Sequence, residues 1–234
     1  MTEPLVTFVI PTCNRPALLA ATLGSVLAQD YAAKEIIVVD DGSTDETAEV
    51  CARFPVVYLR QENRGPAAAR NRGAGAARGE LLAFLDDDDL CPPGSLGVRV
   101  EHWKDDPGCH HVVGRIRRFR EETPGCIEFI DTEGQATHII GVGPEVMLRS
   151  AFEKVGGFDE SLRMSEDVDL WLRMGEAGLR RKLIPEICLF NRKHPGQITV
   201  SAPDETRDGF LNALRIRMQR ERDNRGNLLK NRHE

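Results

Sequence analysis

The stretch Phe84-Leu85-Asp86-Asp87-Asp88-Asp89-Leu90 decides how the rest of the chain is interpreted. It completes the apolar run Leu81–Leu85, which is typical of a buried strand, and it precedes Cys91-Pro92-Pro93-Gly94, which cannot continue one. Four adjacent carboxylates repel one another, so full ionisation requires open water or a neutralising cation. Mg²⁺ and Mn²⁺ prefer oxygen ligands, and α/β sheets bind ligands at the carboxyl ends of their strands. The stretch alone is compatible with a metal site or with a solvated acidic turn.

Upstream of this stretch, apolar runs alternate with segments of helical spacing. The predicted strands are Leu5–Ile10, stopped by Pro11, then Lys34–Val39, Val56–Leu59 and Leu81–Leu85. The predicted helices are Ala17–Leu27, one with a capping box of Ser43 and Glu46 that runs towards Ala52, and Ala67–Ala77. This alternation predicts an α/β fold with a Rossmann-like, mostly parallel central sheet flanked by helices.

The regularity fades after Pro93. We expect a helix from about Gly94 to Lys104, antiparallel strands at Val112–Phe119 and Cys126–Asp131, helices at Glu145–Val155 and Glu166–Ala177, and a strand at Leu179–Phe190. Residues 1–91 then form a nucleotide-binding half, and residues 92–205 form an acceptor half with a small antiparallel portion. Residues 206–234 form a separate basic helical tail.

Composition narrows the class of protein. The chain has 234 residues and a net charge of -6, which gives no reason to expect nucleic acid as a partner. Its six cysteines contain no C-x-x-C pair, which indicates reduced thiols in a cytoplasmic protein. Neither a signal peptide nor a run long enough to span a bilayer is visible.

Asp40 and Asp41 end the second predicted strand. Helix capping and the helix dipole explain Ser43, Asp45 and Glu46 that follow, but they do not explain the two aspartates. A carboxylate at this position can accept hydrogen bonds from a nucleobase or a ribose hydroxyl.

Two further charged segments have both structural and functional interpretations. Arg70 lies a turn inside an Ala-rich helix, where it can reach a phosphate or be solvated. Ser165 is a good N-cap, and acids such as Glu166 and Asp167 in a first turn are ordinarily structural. A carboxylate there that faces a cleft can instead serve as a general base.

Taken together, the motifs are more specific than any one of them. In order along the chain they are Pro11-Thr12-Cys13-Asn14-Arg15, Val39-Asp40-Asp41-Gly42-Ser43-Thr44-Asp45, Asn63-Arg64-Gly65 with Ala69-Arg70-Asn71, Phe84 to Asp89, and Gly157-Phe158-Asp159 with Glu166-Asp167. From about Thr7 to Ser201 the chain resembles the family 2 glycosyltransferases, an inverting group with the GT-A fold. The resemblance implies a nucleotide-diphosphate sugar as donor, with UDP as the default nucleotide, and Mn²⁺ or Mg²⁺ as cofactor.

The resemblance also implies roles for residues of the nucleotide half. Pro11, Thr12 and Arg15 would line the nucleotide pocket. Asp41 would read the base, and Arg70 would lie near the base and the diphosphate.

The family's D-x-D motif maps onto the acidic run. Asp88 would be the direct metal ligand, while Asp86 and Asp87 would hold the ribose or the waters of the cation. Four consecutive aspartates leave the register open by one, with Asp87 and Asp89 as the other pair. His194, within a late segment from Phe190 to Gln197, either completes the metal shell or is a loop histidine in solvent.

By the same resemblance, Asp167 is the catalytic base with Glu166 beside it, and Asp169 replaces Asp167 if the helix begins later. The implied reaction transfers a sugar to an acceptor hydroxyl in glycan, polysaccharide or glycolipid biosynthesis. The alternative is a non-catalytic nucleotide-sugar binder or a partner subunit of a glycan-synthesis complex. A nucleotidyltransferase would need a Gly-rich loop after the first strand, which Pro11-Thr12-Cys13-Asn14 does not supply.

The tail carries many basic residues, with Phe210, Leu214 and Met218 at helical spacing. Such a helix can lie on anionic lipid at the inner membrane face, which would suit a lipid-linked acceptor. Acidic residues dilute its charge, and this favours a solvated helix that packs on the domain or on a second copy of the chain in a homodimer.

Overall fold

The computed structural model describes residues 3–123, 125–138, 141–194, 197 and 203–230. The strands are β1 Val6–Thr12, β2 Lys34–Asp40, β3 Val57–Arg60, β4 Leu81–Phe84, β5 His111–Thr123, β6 Cys126–Phe129, β7 Glu145–Leu148 and β8 Arg181–Arg192. The helices are α1 Pro16–Leu27, α2 Thr47–Cys51, α3 Pro66–Ala76, α4 Ser95–Lys104, α5 Arg149–Lys154, α6 Glu166–Glu176 and α7 Pro203–Lys230, with a 3-10 turn at Glu133–Gln135. Residues 195 and 196 of the late segment, residues 201 and 202, and the end of the tail at 231–234 lie outside the described residues.

One sheet of eight strands organises the described chain. Its order is β3-β2-β1-β4-β7-β5-β6, and β8 pairs with β5. The pairs among β1 to β4 are parallel, whereas β7 runs antiparallel to β4 and β5, and β6 runs antiparallel to β5. The predicted α/β class, with a parallel first half and a smaller antiparallel portion, is confirmed.

The first strand continues through Pro11, so the prediction that it stops there is wrong. Leu85 donates its backbone N–H to the carbonyl of Val9, and the pairing of β1 with β4 ends at that point. Pro11 faces the same side two residues later, where no donor is needed, so its missing N–H costs nothing. On the other side, the N–H of Asp41 donates to the carbonyl of Thr12. The tips of β1 and β2 therefore end together.

The predicted helix Glu145–Val155 begins instead as strand β7. Val146 and Met147 are fully buried between β4 and β5, where an extended segment completes the sheet. Only the second part of the prediction is helical, as α5. Tertiary pairing overrides helix propensity over these four residues.

The predicted N-cap at Ser43 is wrong, whereas Ser165 does occupy the N-cap position of α6. The hydroxyl of Ser43 accepts a hydrogen bond from the N–H of Asn14 (2.9 Å), which ties the loops after β1 and β2 together. Helix α2 begins later, at Thr47, whose N–H donates to the carboxylate of Asp45 (3.0 Å). Ser165 has a φ of 64° and makes no side-chain capping bond to α6.

Helix α7 packs on α6, so the tail lies on the domain, one of the two arrangements left open by the sequence. Ala213 is fully buried. Arg217 and Arg220 form ion pairs with Glu176 of α6. Part of the basic charge of the tail is therefore paired with acidic side chains of the domain.

Gly73 sets how closely α3 approaches the sheet. A Cβ at this position would lie 2.3 Å from Cγ1 of Val9 and 3.1 Å from Cγ2 of Val39, whereas at Gly75 nothing lies within 4 Å. We expect Gly73→Ala to lower the free energy of unfolding by about 1–3 kcal/mol through overpacking. Gly75→Ala, the matched control, should raise it by up to about 1 kcal/mol through helix propensity. Urea unfolding measures both, and equal midpoints for the two variants would contradict the argument.

Candidate active site

A cleft of about 740 Å³ opens at the carboxyl ends of the parallel strands. The predicted site residues that line it are Pro11, Thr12, Arg15, Asp41, Arg70, Asp86, Asp87, Asp88, Glu166 and Asp167. His194 adjoins it, since its Nε2 lies 3.1 Å from Oδ2 of Asp88. Residues as far apart in the sequence as Pro11 and Asp167 thus share one cavity.

Three carboxylates at the end of β4 converge. One oxygen from each of Asp86, Asp88 and Asp89 lies within 4.8 Å of the others. Burial, followed by the charges of Asp88 and Asp86, holds the pKa of Asp89 well above its usual value. Mutually repelling oxygens of this kind are the ligands that Mg²⁺ and Mn²⁺ prefer, and a cation would relieve their repulsion. The donor set therefore fits a hard divalent cation.

Asp87 does not belong to this cluster. Its carboxylate accepts hydrogen bonds from the hydroxyl of Thr12 (2.7 Å) and from Nη1 of Arg15 (3.1 Å). Burial raises the pKa of Asp87 to about 6, although both of these neighbours lower it. The same Arg15 nitrogen lies 3.0 Å from Oδ2 of Asp88. This arrangement favours Asp86 and Asp88 as the D-x-D pair.

Arg70 bridges two carboxylates. Its Nη2 donates to Asp86 (2.6 Å) and its Nη1 donates to Glu166 (2.5 Å), and its side chain is almost fully buried. Burial lowers the pKa of Arg70, but the charges of Asp86 and Glu166 raise it by more than burial lowers it. The guanidinium therefore stays charged. Arg70 thus joins the end of β4 to the start of α6, and its expected place near the base and the diphosphate stays a prediction.

Asp167 follows Glu166 in the first turn of α6. Its Oδ1 accepts the N–H of Val168 (2.8 Å). Burial and then the charge of Glu166 raise the pKa of Asp167 to about 7, against the opposing effect of Arg70. The left-handed backbone at Ser165 costs about 1–3 kcal/mol, and such strain clusters at functional sites. A carboxylate with this pKa can exchange a proton near neutrality.

Asp169, the alternative base, is committed elsewhere. It is fully buried and accepts hydrogen bonds from Nε of Arg173 (2.7 Å) and Nη1 of Arg220 (2.9 Å). It is not among the residues that line the cleft. Its geometry assigns it to holding α7 on α6.

Asp41 shapes the loop before α3. Its carboxylate accepts hydrogen bonds from the side chain of Gln61 (2.8 Å) and from the N–H groups of Arg64 (2.9 Å) and Gly65 (2.8 Å). A carboxylate has about four lone-pair positions, so about one is left for a ligand. Asp41 can therefore position this loop and also contact a nucleotide.

The tail contributes to the cleft, which the sequence did not predict. Arg207 and Phe210 of α7 line it, together with Met164 from the segment before α6. A signal was present in Gly209, a glycine inside a helix, because such glycines often mark a close approach. A Cβ there would lie 2.6 Å from Cβ of Met164.

Comparison with known proteins identifies the family. Residues 7–154 match the family model described as Glycosyl transferase family 2. The succinoglycan biosynthesis protein ExoU of Rhizobium meliloti (strain 1021) is 34% identical over 205 residues, covering 76% of this chain and 59% of that protein. The succinoglycan biosynthesis protein ExoO of the same organism is 41% identical over 187 residues, covering 70% of this chain and 53% of that protein. The chain thus spans somewhat more than half the length of these relatives.

Solved structures show the fold. The Staphylococcus aureus TarS fragment 1-349 in complex with UDP-GlcNAc has a TM-score of 0.71 at 20% identity, covering 91% of this chain and 65% of that chain. The mannosyltransferase PcManGT from Pyrobaculum calidifontis, in complex with GDP-Man and Mn²⁺, has a TM-score of 0.70 at 23% identity, covering 92% and 65%. No helix in the described part of the chain is long and apolar enough to cross a bilayer. The chain belongs to glycosyl transferase family 2 and has the GT-A fold.

Proposed function

We propose that the protein is a metal-dependent, inverting glycosyltransferase that moves a sugar from a nucleotide-diphosphate sugar, by default a UDP-sugar, to an acceptor hydroxyl. The observation that carries this proposal is a single cleft that combines the Asp86, Asp88 and Asp89 cluster with Asp167. The names of the relatives support polysaccharide biosynthesis as the setting. One structural neighbour is in complex with UDP-GlcNAc, and another is in complex with GDP-Man and Mn²⁺.

The acids after β4 would hold the cation. Asp88 and Asp86 would bind it, with Asp89 beside them and His194 within reach through its contact with Asp88. When bound, Mn²⁺ or Mg²⁺ supplies positive charge that stabilises the departing diphosphate. Arg15, which contacts Asp87 and Asp88, adds a fixed positive charge on the same side.

Asp167 would take the proton of the acceptor. The acceptor oxygen forms a bond to the anomeric carbon as the bond to the diphosphate breaks, and the hydroxyl proton passes to the carboxylate of Asp167. Attack on the face opposite the leaving group inverts the anomeric centre. Arg70 donates a 2.5 Å hydrogen bond to Glu166, which keeps the first turn of α6 beside the acidic cluster.

The alternative is a nucleotide-sugar binder or partner subunit without catalysis. Such a protein would need Asp41 and the acidic cluster, but it would not need a carboxylate whose pKa lies near 7 to act as a base. The position of Asp167 in the same cleft as the acidic cluster, together with the raised pKa that burial gives it, favours the enzyme. Cytoplasmic location and contact of α7 with a membrane surface stay predictions.

A thermal-shift screen of nucleotide sugars, with and without Mn²⁺, tests the proposal. We expect one donor at 100 times its Kd to stabilise the protein by about 2.7 kcal/mol, which corresponds to a rise in Tm of roughly 5–10 °C. The rise should disappear with EDTA. If no nucleotide sugar shifts Tm, the function is wrong, and binding without donor hydrolysis or transfer would favour the non-catalytic alternative.

A further inference from the structure

Helix α7 presents an aromatic side chain to the cleft. Phe210 is 40% exposed and lines the cleft together with Met164. The neighbouring Leu211 is 41% exposed and is not among the lining residues. Phe210 also belongs to none of the hydrophobic core clusters of the described residues. Packing of the core therefore does not explain why a large apolar ring lies at this position.

Close packing holds α7 in this place. A Cβ at Gly209 would lie 2.6 Å from Cβ and 3.2 Å from the carbonyl oxygen of Met164, so the helix backbone presses on the segment that precedes α6. Ala213, one turn further on, is fully buried. Beyond it, Nη1 of Arg220 lies 2.9 Å from the buried carboxylate of Asp169. The position of the Phe210 backbone is thus set by contacts with α6 and the segment before it.

The chemistry around Phe210 indicates what could lie on it. Carboxylates, among them Glu166 and Asp167, line the same cleft and can accept hydrogen bonds from hydroxyl groups. A sugar ring has hydroxyls around its edge and C–H groups on its face, so it can bind carboxylates and an aromatic ring at once. Gly209 packs against Met164, which lies three residues before Asp167, so Phe210 lines the part of the cleft that adjoins the start of α6.

We propose that Phe210 is the platform on which the sugar ring of the acceptor lies, so that the acceptor hydroxyl belongs to a saccharide. This inference rests on the proposed function, because it takes Asp167 as the base. It also makes α7 part of the acceptor site.

A tryptophan placed at the platform tests binding directly. We expect the fluorescence of Phe210→Trp to change when methyl glucoside, methyl galactoside or methyl N-acetylglucosaminide is added with UDP and Mn²⁺ present. Leu211→Trp is the matched control, with the wild type giving the background from Trp103 and Trp171. If all three glycosides leave Phe210→Trp unchanged, or change Leu211→Trp equally, the inference is overturned.

Kinetics with the glycoside that gives the response supplies a second test. Phe210→Ala should raise the acceptor KM about ten-fold through loss of apolar contact, while the donor KM changes far less. Phe210→Tyr should restore the acceptor KM, and Leu211→Ala should leave both constants unchanged. Equal changes in the acceptor KM for Phe210→Ala and Leu211→Ala would overturn the inference and leave the proposed function standing. Failure of the wild type to bind any nucleotide sugar would overturn the proposed function itself.

Discussion

Asp167→Asn should reduce the rate of sugar transfer by about 10²–10⁴-fold, the range that general-base catalysis contributes. The amide keeps the shape of the side chain and can still accept the N–H of Val168, but it cannot take a proton from the acceptor. Binding of the donor should be nearly unchanged, because the acidic cluster is untouched. Release of nucleoside diphosphate measures turnover, and calorimetry measures the affinity for the donor.

The pH dependence of the two proteins provides the control. The wild-type kcat/KM should rise with pH and level off near or below pH 7, because a bound cation would ease loss of the proton from Asp167. The variant should lack this rise. A variant that turns over at the wild-type rate, or that keeps the same rise with pH, would show that the base is another residue.

The stability of the wild-type protein should fall over the pH range in which its kcat/KM rises. Because burial raises the pKa of Asp167 above that of the unfolded chain, the folded protein binds more protons between the ordinary aspartate pKa and about 7. Wild-type stability therefore falls as pH rises through that interval, and the variant escapes this loss. At pH 8, we expect the variant to unfold at a higher temperature than the wild type.

Asp88→Asn should weaken Mn²⁺-dependent donor binding by about 100-fold. Loss even of a group that supports a metal ligand costs about 10–100-fold in metal affinity, and a direct ligand should reach the upper end of that range. Calorimetric titration of Mn²⁺, alone and with UDP, measures the effect.

Asp87→Asn is the matched control for the register of the acidic run. Its amide oxygen can still accept the hydroxyl of Thr12, and its side chain lies outside the cluster. Affinity for Mn²⁺ should therefore change only a few-fold. If Asp87→Asn abolishes Mn²⁺ binding and Asp88→Asn does not, the ligands are Asp87 and Asp89.

The sequence predicted the edge of the sheet where the site lies, because parallel strands end together. The end of β2 and the end of β4 could be located from apolar runs, and Asp41 and Asp86, which follow them, both line the cleft. The direction of each of the four consecutive aspartates was not predictable. The chain turns there, with the N–H of Asp89 donating to the carbonyl of Asp86, so the alternation of a strand no longer applies.

Long-range contacts account for what the sequence could not predict. The partners of Arg70 lie 16 and 96 residues away, and nothing local to the helix indicates them. The spacing of Phe210 and Met218 correctly predicted a helix, but it could not tell which face packs on α6 or that Phe210 reaches the cleft.

The bridge made by Arg70 makes ion binding and proton binding depend on each other. Asp86 and Glu166 share the guanidinium of Arg70. A cation on Asp86 would neutralise that carboxylate, and the guanidinium charge would then act more strongly on α6. Ionisation of Asp167 would become easier, and by thermodynamic reciprocity its ionisation would tighten the hold on the cation by the same factor. The affinity for the cation would therefore rise as the pH increases through neutrality. The same change in pH would ionise the base that accepts the acceptor proton and favour the cation that binds the donor.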